Sequence, residues 1–172
     1  TVDDARKTLV TNDPRFIFTA DESKTGQPVI FMFTGQGSQH PGMTRTLYIE
    51  EPDFRSELDR CAELLKPLIG VDIREIIYNN DGKNNSKINY LSKTEFVQPI
   101  LFSIEYSLAK LWIKRGVKPA ALIGHSIGEY AAACLAGIFT LEDALRIVSI
   151  RGRLIQSLPE GSMLSIPLSV ES

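Results

Sequence analysis

The chain holds only two histidines, His40 and His125, and two cysteines, Cys61 and Cys134, among 172 residues. A zinc site draws three or four ligands from those residue types, so the scarcity argues against a bound metal. Two cysteines make no disulfide framework. Cys61 falls in an amphipathic pattern and Cys134 in an alanine-rich segment, and both read as buried free thiols of a reducing compartment. No apolar run approaches the roughly 20 residues of a membrane span. Residues 1–20 are mixed and polar, unlike a secretory signal. There is no basic excess either: 19 Lys and Arg face 21 Asp and Glu, for a net charge of −2. With no basic stripe, nucleic acid is not an expected partner. These absences point to a cytoplasmic protein without a membrane or nucleic-acid role. What is present is ordinary for a globular domain: 43% hydrophobic and 23% charged residues, in a chain long enough for one domain with a core. The first residue is not methionine and the last residues follow an apolar stretch, so the sequence reads as a piece of something longer.

Residues 1–27 read as a linker or entry segment, with a short helix over Asp3 to Val10 and a strand or packing segment at Arg15–Thr19. Pro28 to Thr34 is a continuous apolar run of strand length, the pattern of a central parallel strand covered on both faces. The glycine-rich loop Gly35-Gln36-Gly37-Ser38-Gln39-His40 follows. A helix starts near Pro52, where proline suits the first turn, and lines one face with Phe54, Leu58, Cys61, Leu64 and Leu65. A short helix is expected over Asp72 to Tyr78 and a polar loop over Asn79 to Asn89. A long helix runs from Val97 to Arg115 and stops at Gly116, with Leu101, Ile104, Leu108, Leu111 and Trp112 on its core face. Ala120 to Ile123 is a strand. Thr140 caps a helix reaching Leu158. Pro159 to Ser162 is a turn, and Met163 to Ile166 opens a new strand. Strands alternating with helices give an α/β fold with a mostly parallel sheet.

Leu122-Ile123-Gly124-His125-Ser126-Ile127-Gly128-Glu129 is a strand running into a glycine-flanked serine and then a helix. This is the pattern of a nucleophile elbow, which exposes a serine hydroxyl and offers it a backbone N–H. In a parallel sheet, ligands gather at the carboxyl ends of strands. The loop at Gly35 and the turn at Gly124 both leave strands at that end, so they are expected to form one site.

The pair of motifs resembles the malonyl-CoA:acyl carrier protein transacylases and the acyltransferase domains of polyketide and fatty acid synthases. Val97-Gln98-Pro99-Ile100-Leu101-Phe102, Arg151-Gly152-Arg153-Leu154-Ile155-Gln156 and Pro159-Glu160-Gly161-Ser162-Met163-Leu164 fit the same family in the same order. The match runs from about Pro28 to Ile166. It implies an α/β-hydrolase-like large subdomain over residues 28–160 and, at residues 161–172, the first strand of a ferredoxin-like small subdomain. The residues before Pro28 resemble the linker that precedes such a domain in multidomain synthases.

The resemblance implies an acyl-serine on Ser126, formed from an acyl-CoA and discharged to the phosphopantetheine thiol of an acyl carrier protein. No cofactor is bound; malonyl-CoA is the implied substrate, and neighbouring synthase domains are implied partners. The oxyanion donors are then the backbone amides of Gln36 and Ile127. Arg151 would hold a malonyl carboxylate through its charged fork; without the family it would read as a solvated helix arginine. Gln98 is expected to line the pocket or to cap its own helix. His125 supports the elbow or the acyl group, and Glu129 is structural. Ile127 and Phe96, by the same resemblance, favour malonyl over methylmalonyl, by crowding an α-methyl.

The family's general base is a histidine far downstream of the serine. Here 46 residues follow Ser126 and none is histidine. His40 lies in the oxyanion loop, where the family does not place its base. Weak activity or none is therefore expected of this sequence alone. Two other readings remain open at this point. An esterase or thioesterase of the α/β-hydrolase type shares the elbow but needs a downstream acid and histidine. A non-catalytic docking fragment would bind a carrier protein and never form an acyl-serine.

Overall fold

Phe33 stands opposite Gly124 at the end of a parallel strand pair, and that register sets the geometry of everything functional. The computed structural model describes residues 1–12, 15–17, 27–78, 90–159 and 161. Helix α1 (Val2–Thr11) is capped by Thr1 and buries none of its residues. Strand β1 (Val29–Phe33) is followed by helices α2 (Arg45–Glu50), α3 (Pro52–Ile69) and α4 (Ile73–Tyr78). A single 3₁₀ turn at Tyr90–Ser92 leads into α5 (Thr94–Lys114). Strand β2 (Pro119–Gly124), the elbow helix α6 (Gly128–Leu135) and α7 (Leu141–Gln156) complete the order. The fold is α/β, with β1 and β2 parallel and joined by a helical crossover, as parallel pairing requires.

Helix α5 is the hub. It packs on α3, α6 and α7, and fourteen of its residues, from Phe96 to Leu111, are buried. Its buried serines do not disturb this packing. Ser103 Oγ donates to the Pro99 carbonyl and Ser107 Oγ to the Ser103 carbonyl, each at 2.7 Å, which satisfies each hydroxyl one turn back. Gly152 of α7 meets the first turn of α5 so closely that a Cβ there would lie 2.9 Å from the Thr94 carbonyl oxygen. Thr140 Oγ1 accepts from the Asp143 N–H at 3.1 Å and so starts α7, as its sequence position implies.

Several expectations are corrected. Helix α5 begins at Thr94, three residues before Val97, so Gln98 and Pro99 lie inside it rather than at its start. Trp112 is 47% exposed, because the last turns of α5 run beside an open groove instead of the core. Strand β1 is not covered on both faces among the described residues: Ile30 is 55% and Met32 78% exposed. Of the Arg15–Thr19 segment, expected as a strand or a packing segment, Arg15 and Phe16 form a turn, and residues 18–19 lie outside the described residues. Helix α2 carried no periodic signal, being only six residues long. Cys61 and Cys134 are buried and free. The expected loop at 79–89 and the strand at 163–166 lie outside the described residues. No described helix is long and apolar enough to cross a membrane.

Candidate active site

Ser126 lies two residues beyond the end of β2 and has a φ of 54°. That left-handed backbone strains a residue with a Cβ by roughly 1–2 kcal/mol, and it persists because the turn around it is overdetermined. The His125 N–H donates to the Phe33 carbonyl at 3.0 Å, and Gly128 N–H to the His125 carbonyl at 3.0 Å. Glu129 Oε1 accepts from the Gly124 N–H at 3.1 Å, the structural role expected of it. A Cβ on Gly124 would lie 2.1 Å from the Gly128 carbonyl carbon, and one on Gly128 would lie 2.7 Å from the Phe33 and Thr34 oxygens. Strand, turn and helix thus touch through backbone alone, and the serine is left exposed at the top.

The loop after β1 arrives at the same edge. A Cβ on Gly35 would sit 2.2 Å from His125 Nδ1, so the imidazole rests on the space that glycine leaves. His125 thus packs the elbow against the loop. Gln39 Oε1 accepts from the Gly37 N–H at 2.8 Å, and Gln39 Nε2 donates to the Leu91 carbonyl at 3.2 Å. Gln36 Nε2 donates to Thr94 Oγ1 at 3.2 Å, tying the loop to the start of α5. Among the described residues, neither the Gln36 nor the Ile127 backbone N–H has an acceptor. Unused donors at two converging turns are what a developing oxyanion requires.

Arg151, on α7, reaches the serine: its Nη2 donates to Ser126 Oγ at 3.2 Å. The guanidinium lies 5.5 Å from the ring centroid of Tyr130, a cation–π distance. Its Nη1 is buried without a partner, and among the described residues no carboxylate pairs with it. Tyr130 escaped the sequence reading, although its position four residues after Ser126, one helical turn on, was the available signal. Gln98 is 3% exposed with Oε1 unpartnered, so it does not cap α5. Instead Gln156 Oε1 accepts from the Thr94 N–H at 2.7 Å. Ile127 is wholly buried, and its side chain has no exposed surface in this structure. Phe96 is buried edge to face against Tyr90 at 4.9 Å. Neither imidazole contacts the Ser126 hydroxyl. The His40 ring meets the Ser38 carbonyl at 3.5 Å instead.

The profile of the family described as "acyl transferase domain" matches residues 30–172. The chain belongs to that family. Its relatives include polyketide synthases. The chain is 40% identical over 149 residues to a phenolphthiocerol/phthiocerol polyketide synthase protein of Mycobacterium tuberculosis, covering 87% of this chain and 10% of that protein. It is 44% identical over 137 residues to the spectinabilin polyketide synthase system protein NorB of Streptomyces orinoci, covering 79% of this chain and 6% of that one. The acyl transferase domain of ZmaA superposes with a TM-score of 0.81 at 41% identity, covering 94% of this chain and 37% of that structure. A malonyl-transacylase solved with its type II polyketide synthase acyl carrier protein gives a TM-score of 0.66 at 29% identity, covering 78% of this chain and 41% of that one. This acyltransferase chain thus spans about a tenth or less of the synthases it matches and well under half of the related solved domains.

Proposed function

We propose that this chain carries the nucleophile half of an acyltransferase that moves a malonyl-type unit from coenzyme A to an acyl carrier protein. The observation that carries the reading is Arg151: among the described residues its guanidinium has no carboxylate partner, one nitrogen lies on Ser126 Oγ and the other is buried without a hydrogen-bond partner. A cation held beside a nucleophile, with no anion of its own among the described residues, suits a substrate that brings a carboxylate.

In the proposed reaction Ser126 Oγ attacks the thioester carbonyl, and the serine proton passes to a base. The carbonyl oxygen takes negative charge between the Gln36 and Ile127 amides. The C–S bond then breaks, coenzyme A leaves as its thiol with that proton, and the acyl group stays on Ser126 as an ester. The phosphopantetheine thiol of the carrier protein repeats the sequence in reverse and frees the serine. The free carboxylate of the acyl group meets Arg151, which fixes which face the nucleophile sees. The base is an imidazole supplied from outside this sequence, since neither His40 nor His125 reaches the hydroxyl. The sequence alone is accordingly expected to transfer little or nothing.

The test uses a complete acyltransferase domain containing this sequence. Incubation with malonyl-CoA should add a malonyl mass to the peptide bearing Ser126, and Ser126→Ala should abolish it. Arg151→Ala should slow malonyl loading about 10- to 100-fold more than acetyl loading, the scale of a lost charge-assisted hydrogen bond of about 1.5–3 kcal/mol. Equal losses for both substrates would refute the carboxylate role. Release to water rather than to a carrier thiol would make the protein an esterase instead.

A further inference from the structure

A buried carboxyl group lies behind the loop, unused by the chemistry above. Glu105, in the middle of α5, is 9% exposed. Its Oε1 accepts from Thr34 Oγ1 at 2.8 Å. Thr34 is the last residue before Gly35-Gln36, and its hydroxyl lies 3.0 Å from Ser38 Oγ. Ser38 Oγ is in turn 3.3 Å from the Gly35 carbonyl. Thr34 has one hydroxyl proton, which goes to Glu105, so the Ser38 hydroxyl shares its one proton between Thr34 Oγ1 and the Gly35 carbonyl. The chain Glu105–Thr34–Ser38 therefore crosses both ends of the segment that holds Gln36.

Burial of an acid in an apolar helix needs a reason, since such a group costs more than an apolar one of the same shape unless its bonds are used. Leu101, Ile104 and Leu108 share this stretch of α5 and offer nothing polar. The polar connections Glu105 makes among the described residues run to Thr34, at the root of the loop, and its Oε2 is unpartnered. From the opposite side the loop is tied by Gln36 to Thr94, also on α5. Both anchors are on the same rigid helix, a sound base for aiming a backbone amide.

We propose that Glu105 is a positioning residue that sets the oxyanion loop, acting through Thr34 and Ser38 on the Gln36 amide. The inference rests on Gln36 being an oxyanion donor. Glu105 does not touch the substrate. It fixes φ and ψ at the start of the loop, so that the amide meets the oxygen in the transition state rather than in the ground state.

The experiment measures single-turnover formation of acyl-serine in a complete acyltransferase domain containing this sequence. Glu105→Leu roughly keeps the volume and removes the acceptor; Thr34→Val removes the hydroxyl donor from the other side, at an exposed residue. Each should lower the acylation rate about 10- to 100-fold, within the cost of a misaimed oxyanion donor, with KM for malonyl-CoA changed less than about threefold. Glu105→Gln keeps an acceptor oxygen for Thr34 and should recover most of the rate. The double variant Glu105→Leu with Thr34→Val should be no slower than either single one, because both cut the same link. Folded Leu and Val variants that acylate at the wild-type rate would overturn the proposal, as would a Gln variant no faster than Leu. Should Glu105→Leu fail to fold, Thr34→Val and Glu105→Gln decide the matter by themselves. A wild-type domain forming no acyl-serine would overturn the acyltransferase reading as well, and it would show before any variant was made.

Discussion

The left-handed φ of Ser126 is tolerated because Gly124 and Gly128, two residues to either side, bring no Cβ into the crossing of strand and helix. Gly128→Ala would press a methyl on two backbone oxygens at 2.7 Å, neither of which has a flexible side chain to yield. We expect a loss of about 1–3 kcal/mol or more, read as a lowered Tm, with no second-site relief. Gly35→Ala meets instead the His125 ring, which is free to swing. Its cost should be smaller and should vanish in the double variant with His125→Ala; persistence there would mean that the glycine serves another purpose. Glu105 adds a pH dependence. Burial pushes its carboxyl up to about 7 from 4.5, while its hydrogen bond from Thr34 pulls it down, and no charged neighbour contributes. The folded state thus holds the proton more tightly than the unfolded chain. Its contribution is full below about 4.5 and is lost as pH rises through about 7. At about 1.4 kcal/mol per pH unit the loss is at most on the order of 3 kcal/mol. Denaturant titrations at pH 5 and pH 8 should show it, and Glu105→Gln should flatten the difference. An unchanged difference in that variant would assign the effect to other groups.

At the scale of elements, the site is where three helices meet two strand ends. Helix α7 delivers Arg151, and the contact that places it is the neighbouring Gly152 against the first turn of α5. Pro99, in the second turn, has no N–H to offer the Glu95 carbonyl, and the glycine lets α7 lie against Thr94 and Glu95. Gly152→Val should force the two helices apart by several tenths of an ångström and withdraw the guanidinium from Ser126. The expected result is a larger drop in malonyl than in acetyl loading, with the elbow intact. A variant that loses both equally, or neither, would show that helix spacing does not place Arg151. Helix α6 packs against both strands and α5, which is why the elbow has a rigid floor.

The whole molecule has one feature that local chemistry does not anticipate. A groove of about 640 Å³ runs along β1 and α5, lined by Met32, Leu101, Ile104, Leu108 and Trp112. Parallel strands are ordinarily covered on both faces, yet Ile30, Met32, Ile123 and Trp112 each expose about half their surface or more. An apolar surface of this kind binds partners or aggregates. Expressed as this sequence alone, the chain should bind a fluorescent hydrophobic dye in its folded state. Met32→Lys should reduce that signal while changing stability by less than about 0.5 kcal/mol, as exposed substitutions do. Dye fluorescence equal in the two proteins would place the binding elsewhere.

The sequence by itself determined the elements that local chemistry controls. Two glycines around a serine after an apolar run specified the elbow, because only residues without Cβ permit that crossing. Periodicity in α3 and the Thr140 cap of α7 were legible because each depends on neighbours three or four residues apart. The start of α5 was not, since Thr94 is bonded by Gln156, 62 residues away in sequence. Arg151 was legible only through family resemblance: nothing in its own helix distinguishes it from a solvated arginine. The tertiary structure decided that it lies on Ser126, that Tyr130 supports it, that Ile127 is core, and that Glu105 holds Thr34 across 71 residues. The physical reason is common to all four. A side chain's partner across the fold is fixed by where packed helices bring it, and packing is a property of pairs of elements that no single stretch of sequence contains.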